Sequence, residues 1–153
     1  NRTAGEKALL SAAGASQDRH IGSLAVWHAL YALAGFWLSV PEQRIIIAPR
    51  LPEGVTRVDF PLFTPAAFGR LLYEVVPATA RQRLKIGFDS PVFIKTIEVG
   101  MIEARLPTRV TLRINDEPAA MQYEVIKARP RNRIKITLQT PLQVQHPIDL
   151  WLE

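Results

Sequence analysis

From Leu24 to Leu38 the only residues with strongly polar groups are His28 and Tyr31, and this stretch constrains the chain more than any other. A helix on a protein surface shows one apolar stripe and one wet face, whereas this stretch, wound as a helix, is apolar on nearly every side. Such a helix needs walls all round, most of them from other helices. The rest of the chain is rich in strand patterns and supplies almost none. The stretch therefore reads as the tail end of something larger: a closing helix over about residues 18–35, a short turn, and a strand from Arg44 to Ala48 that stops at Pro49. Asp18 suits the N-cap, with Ser16 as the other candidate, because its carboxylate can accept from the free N–H groups of a first turn. Gly35 is placed for a left-handed C-terminal stop. Gly22, within the first turns, costs about 1 kcal/mol relative to alanine and points to a close neighbour. As a membrane span, Ile21 to Leu38 counts 18 residues, at the lower edge of the roughly 17–25 required. His28, Ser23, two glycines and the strand that follows disfavour that reading, and a buried helix in a multi-helix core is preferred.

Beyond the helix, Val58 to Phe63 and Phe68 to Val76 read as strands around Pro61 and Pro65, and Pro77 to Ala80 as a linker. From Arg81 onward the pattern alternates with period two. Leu84, Ile86 and Phe88 share one face, as do Ile97, Val99 and Met101, and then Val110, Leu112 and Ile114. Met121, Tyr123 and Val125 follow, then Ile134, Ile136 and Leu138, and finally Ile148, Leu150 and Leu152. Turn signals at Asn115-Asp116-Glu117-Pro118 and Arg129-Pro130-Arg131-Asn132 separate them, as in a sandwich. Alternation means one buried and one wet face per strand, hence two packed sheets. The division expected is an N-terminal unit over 1–80, the end of an (α/α) barrel domain, and an antiparallel β-sandwich over 81–153. The fold class is thus α+β.

With 153 residues, 48% of them hydrophobic and 22% charged, the chain has globular composition. It contains no cysteine, so disulfides, thiolate metal sites and cysteine nucleophiles are excluded. The net charge of +5 concentrates in runs such as Arg81 to Lys85 and Lys127 to Lys135. These cations mostly alternate with apolar residues, as the wet face of a strand does, and aromatic residues are not interleaved among them. Nucleic acid is therefore not an expected partner. His20, His28 and His146 show no metal-ligand spacing, so no metal or cofactor is expected. No serine lies in a nucleophile elbow, and no glycine-rich phosphate loop occurs. Asp18, Glu42, Glu53, Asp59 and Asp89 fit solvated loops and caps, and no catalytic residue is assigned. The polar cluster singled out as substrate-binding is Asp18, Arg19 and His20, at the positive end of the helix, where N–H groups and fixed side chains can hold oxygens. Capping plus an ion pair to a neighbouring helix is the structural alternative.

Trp27, then Ala32-Leu33-Ala34-Gly35-Phe36, the strand Arg44 to Ala48, and the corner Pro49-Arg50-Leu51-Pro52 fall in the order found at the end of the barrel in glycoside hydrolase family 116. Phe68-Gly69 followed by Tyr73 is similar to that family's aromatic–glycine segment. The resemblance covers roughly Asp18 to Val76. It implies a six-hairpin (α/α) barrel joined to a β-sandwich, in a retaining enzyme acting on β-linked glucosides, glucosylceramide included. It also implies that the catalytic glutamate and aspartate lie upstream of Asn1, and that the partner is the N-terminal remainder of the same protein, or a second chain, carrying the barrel and its carbohydrate substrate. The sequence departs from the family before the helix. Ala12 to Gln17 stands where the family has an acidic stretch with Cys-Gly, and Gly22 where it has an arginine. The expectation is a C-terminal part of a glycoside-hydrolase-like protein, not catalytic alone. A non-catalytic β-sandwich module for carbohydrate binding or assembly is the alternative, to be favoured by exposed aromatics in a row on one sheet.

Overall fold

The computed structural model describes residues 29, 31–64, 66–79, 81–102, 106–129, 131–144 and 147–153. Residues 29 and 31–34 are helical, and Gly35, at φ +54°, ends that helix in the left-handed region. Two carbonyls left open by the helix end are taken by a later segment: Ala48 N–H donates to Gly35 O at 3.0 Å, and Arg50 N–H donates to Leu33 O at 2.9 Å. A Cβ at Gly35 would collide with the Ala48 carbonyl, so close approach and positive φ both require glycine here.

Eleven strands follow: β1 (Phe36–Ser39), β2 (Arg44–Ile47), β3 (Arg57–Phe63), β4 (Phe68–Val76), β5 (Arg81–Phe88), β6 (Val92–Gly100), β7 (Val110–Ile114), β8 (Glu117–Pro118), β9 (Met121–Ile126), β10 (Arg133–Val144) and β11 (Ile148–Leu152). One sheet has the order β1-β2-β6-β10-β9 and the other β3-β4-β5-β11-β7-β8. The second sheet is antiparallel throughout, while the first contains one parallel pair, β2 with β6. Pro61 sits in β3, the outermost strand of its sheet, where a missing N–H costs no ladder bond. In β10 the register against β6 shifts between Thr137 and Leu142, and Pro141 falls inside that irregularity.

The core lies between the two sheets. Ile45, Ile97 and Ile136 form one inward row of the first sheet, in register with one another. Leu112, Leu150, Leu84 and Tyr73 form the matching row of the second. The alternating residues named in the sequence from β5, β6, β7, β10 and β11 are these inward faces, and all but the half-covered Ile114 are buried. The outermost strand β9 departs from the pattern: Tyr123 and Val125 share the inward parity but remain exposed.

The α+β fold class, with a barrel-closing helix, is corrected by this structure. The described residues are nearly all β, and no (α/α) barrel helix occurs among them. Ala32 and Leu33 are exposed and only Ala34 of the helix end is buried, so the described turns do not need walls all round. After Gly35 the apolar run changes period. Phe36 is buried and Leu38 half-covered on one face, while Trp37 and Ser39 take the other. Residues that read as the end of an all-round apolar helix are therefore the first strand of a sheet. No helix of the described residues is long and apolar enough to cross a membrane.

Candidate functional site

Asp18, Arg19 and His20, like all three histidines, lie outside the described residues. The site assembled by the described part is a groove of about 590 Å³ at the seam between the helix end, β1 and the segment joining β9 to β10. Tyr31, Phe36 and Trp37 supply aromatic surface, and Arg50, Arg129, Arg131 and Arg133 supply four guanidinium groups. Among the described residues, no carboxylate lines it.

Local structure explains the convergence. β1 is the outermost strand of its sheet, so Trp37, on the outward parity, keeps 48% of its surface exposed. Tyr31 stacks on Phe36 at 6.2 Å between ring centres, tying the helix end to β1. Arg50 is fixed through its own backbone bond to Leu33. On the far side, Met101 N–H donates to Asn132 O at 2.9 Å, which holds the 131–133 segment against the end of β6. Gly100 lets Ala48 approach, since a Cβ at Gly100 would press on the Ala48 methyl. The corner at Ala48-Pro49-Arg50-Leu51 is thereby laid across the end of β6.

Electrostatics divides the arginines. Glu98, 4% exposed, lies on the outward face of β6 between two cations. Arg44 Nε is 2.9 Å from its Oε1, in a direction that forms no hydrogen bond, and Arg133 Nη1 donates to its Oε2 at 3.3 Å. Arg44 also reaches to within 5.7 Å of the Trp37 ring centre. Arg133 is thus neutralised from beneath. Arg50, Arg129 and Arg131 have no ion pair among the described residues. Among the described residues they leave unpaired positive charge beside an exposed indole.

The second sheet's outer face is the opposite case. Arg83 donates to Asp149 through Nε at 3.0 Å and Nη2 at 2.6 Å, and its Nη1 lies 3.6 Å from Glu74. Glu74 in turn meets Arg57 at 3.3 Å, and the Arg83 guanidinium lies 4.5 Å from the Trp151 ring centre. Hydrogen bonding to Asp149 holds Arg83 further above its ordinary pKa, although its burial opposes this. At the sheet's edge, Arg70 donates two bonds of 2.6 Å to Asp59, and these hold the Asp59 carboxyl below its ordinary value. Arg57, Arg70 and Arg83 are thus each paired with a carboxylate on this sheet, and Trp151 lies under the Arg83 guanidinium. Asp59 and Asp89, two of the acids noted in the sequence, have structural roles: Asp89 accepts from Phe68 N–H at 3.0 Å. A second cavity, of about 380 Å³, opens between the sheets near Thr79, Met101 and Leu152. Its wall includes Gln82, 5% exposed, whose Oε1 has no hydrogen-bond partner among the described residues. Among the described residues no three of His, Cys, Asp and Glu gather as a metal site.

Sequence patterning alone does not reveal this groove. Trp37 falls between the helix end expected near residue 35 and the strand expected from Arg44, at the end of the apolar run. The alternation of Phe36 and Leu38 with Trp37 and Ser39 directly after a glycine stop is the signal that would have found it.

No family model matches this chain, and no curated protein matches it. Among solved structures, the chain is similar to an alpha-L-rhamnosidase from Dictyoglumus thermophilum, at 13% identity and a TM-score of 0.43. That match covers 79% of this chain and 12% of the rhamnosidase chain.

Proposed function

We propose that the chain is a non-catalytic carbohydrate-binding β-sandwich module, with the groove beside Trp37 as its ligand site. The observation that carries this reading is the half-exposed Trp37 on an edge strand, lining a groove with Tyr31 and four arginines. Indole and phenol rings present flat apolar surface to the C–H face of a sugar ring, while guanidinium groups donate in fixed directions to its oxygens. A groove with a few convergent polar groups is the usual form of a small-molecule or saccharide site. In this proposal the module belongs to a glycoside-hydrolase-like protein, of the β-glucoside class that the family resemblance implies, and the reacting groups are supplied by another part of that protein.

The test is affinity electrophoresis of the chain in gels containing soluble polysaccharides, neutral β-glucan and polygalacturonate among them, backed by titration calorimetry. Retardation by at least one polymer is expected. Trp37→Ala should abolish that retardation with the circular dichroism spectrum unchanged, while Trp151→Ala should leave it intact. Failure of every polymer to retard the protein, or full retention of binding by Trp37→Ala, would overturn the proposal.

A further inference from the structure

We infer that the groove selects acidic saccharides, those bearing a carboxylate on the sugar ring. The inference rests on the carbohydrate-binding reading and names the ligand class for the same groove. Its basis is charge complementarity. Among the described residues, four guanidinium groups line the groove and no carboxylate does, and only Arg133 has an anionic partner, Glu98. Arg50, Arg129 and Arg131 are exposed and converge on one groove, whereas the half-buried Arg83 is already compensated by Asp149 and Glu74. A planar carboxylate matches the guanidinium fork in two parallel N–H···O bonds, and such charge-assisted bonds are roughly twice as strong as neutral ones. A neutral hexose offers hydroxyls only, and would leave the cations of Arg50, Arg129 and Arg131 unmatched.

The arrangement divides the work between two kinds of contact. Trp37 and Tyr31 receive a ring face, which any hexose presents. The arginines read a carboxylate at the ring's edge, which a uronic acid presents and a neutral hexose does not. Two of the cations, Arg129 and Arg131, come from the β9–β10 connection, and the third, Arg50, from the corner hydrogen-bonded to the helix end. A bound acidic sugar would bridge these two segments.

The probes are polygalacturonate and the same polymer with its carboxylates methyl-esterified, which keep one backbone and differ in charge. Binding to the free acid at least tenfold tighter than to the ester, weakening as salt rises, is expected. Arg129→Gln with Arg131→Gln should bring the two affinities within about twofold of one another, with the thermal midpoint unchanged. Trp37→Ala should lower affinity for both polymers together. If the ester or a neutral β-glucan binds as well as the acid, through Trp37, the module reading stands and the acidic selectivity falls. If neither form of polygalacturonate nor neutral β-glucan binds, both readings fall. Should the arginine double variant keep the preference for the acid, or should an oligonucleotide of equal charge bind as tightly as polygalacturonate, the groove is not a uronate reader and the inference is overturned.

Discussion

Tyr73 is 1% exposed in the inward row of the second sheet, and burial pushes its phenol well above the ordinary value, partly offset by the nearby Arg131 cation. The folded pKa is raised above the unfolded one. Its contribution is therefore fully present below the unfolded phenol range, near pH 10, and is lost as pH rises from there toward the folded value. Urea midpoints measured between pH 8 and pH 11 should fall more steeply above pH 10 in the natural protein than in Tyr73→Phe. Parallel curves would show that Tyr73 is not the group responsible. Glu98 carries a second consequence. Its removal leaves Arg44 and Arg133 facing one another across a nearly dry site, and stranding a buried charge costs about 3–5 kcal/mol. Both arginines keep roughly a third of their side-chain surface in water (34% and 31%), so a smaller loss, about 2 kcal/mol, is expected for Glu98→Ala by urea denaturation. Equal stability of variant and natural protein would contradict this. At this scale the sequence shows which residues alternate, and hence that Leu84 or Ile136 could face inward. It did not show that Glu98, on the polar parity of β6, would be buried by two long cations from neighbouring strands. That burial depends on the parallel placement of β2, which no local pattern encodes.

Elements were legible where the period was unbroken and obscure where it changed. The six alternating sets from Leu84 to Leu152 correspond to β5, β6, β7, β9, β10 and β11, because each set has a whole strand in which to repeat. β1 has four residues, too few to establish a period after an apolar helix end. The stop signal itself was correctly read: Gly35 has positive φ. Gly35→Ala should lower stability by about 2 kcal/mol or more, since it adds left-handed strain of about 1 kcal/mol to a steric conflict with the Ala48 carbonyl. Thermal unfolding would check it, and an unchanged midpoint would refute the close approach. The Asn115-Asp116 signal is likewise a turn, with φ of +53° and +63° between the paired residues Ile114 and Glu117. Two positive values in a two-residue hairpin define the type I′ geometry, for which glycine at the second position is favoured. Asp116→Gly should therefore raise stability by about 0.5 kcal/mol, read from the urea midpoint at unchanged slope.

Across the whole molecule, the two sheets are woven from both sides of residue 80. β1 and β2 precede it and complete the sheet of β6, β10 and β9, while β3 and β4 complete the sheet of β5, β11, β7 and β8. The pairing that makes this weave is long-range: β2 runs parallel to β6, with Ile45 beside Ile97 and Ile47 beside Val99, all four buried. Period-two patterns say which face of a strand is dry, not which neighbour dries it. The partition of strands between sheets was for that reason hidden in the sequence. The weave has a consequence for a chain starting at Arg81. Such a fragment would expose the β6 edge where β2 pairs, and the β5 edge where Leu71 and Tyr73 lie against Ile86 and Leu84. Long apolar edges without a partner favour association over folding. The fragment 81–153 is therefore expected to aggregate or to lack amide dispersion in its proton NMR spectrum. The chain of residues 1–153 should give coincident far- and near-ultraviolet circular dichroism transitions in urea, as one cooperative unit does. A soluble fragment 81–153 with dispersed amides would show instead that the second half folds by its own contacts. The groove would then be a surface assembled upon it, since Arg129 and Arg131 belong to that half while Trp37 and Arg50 belong to the other.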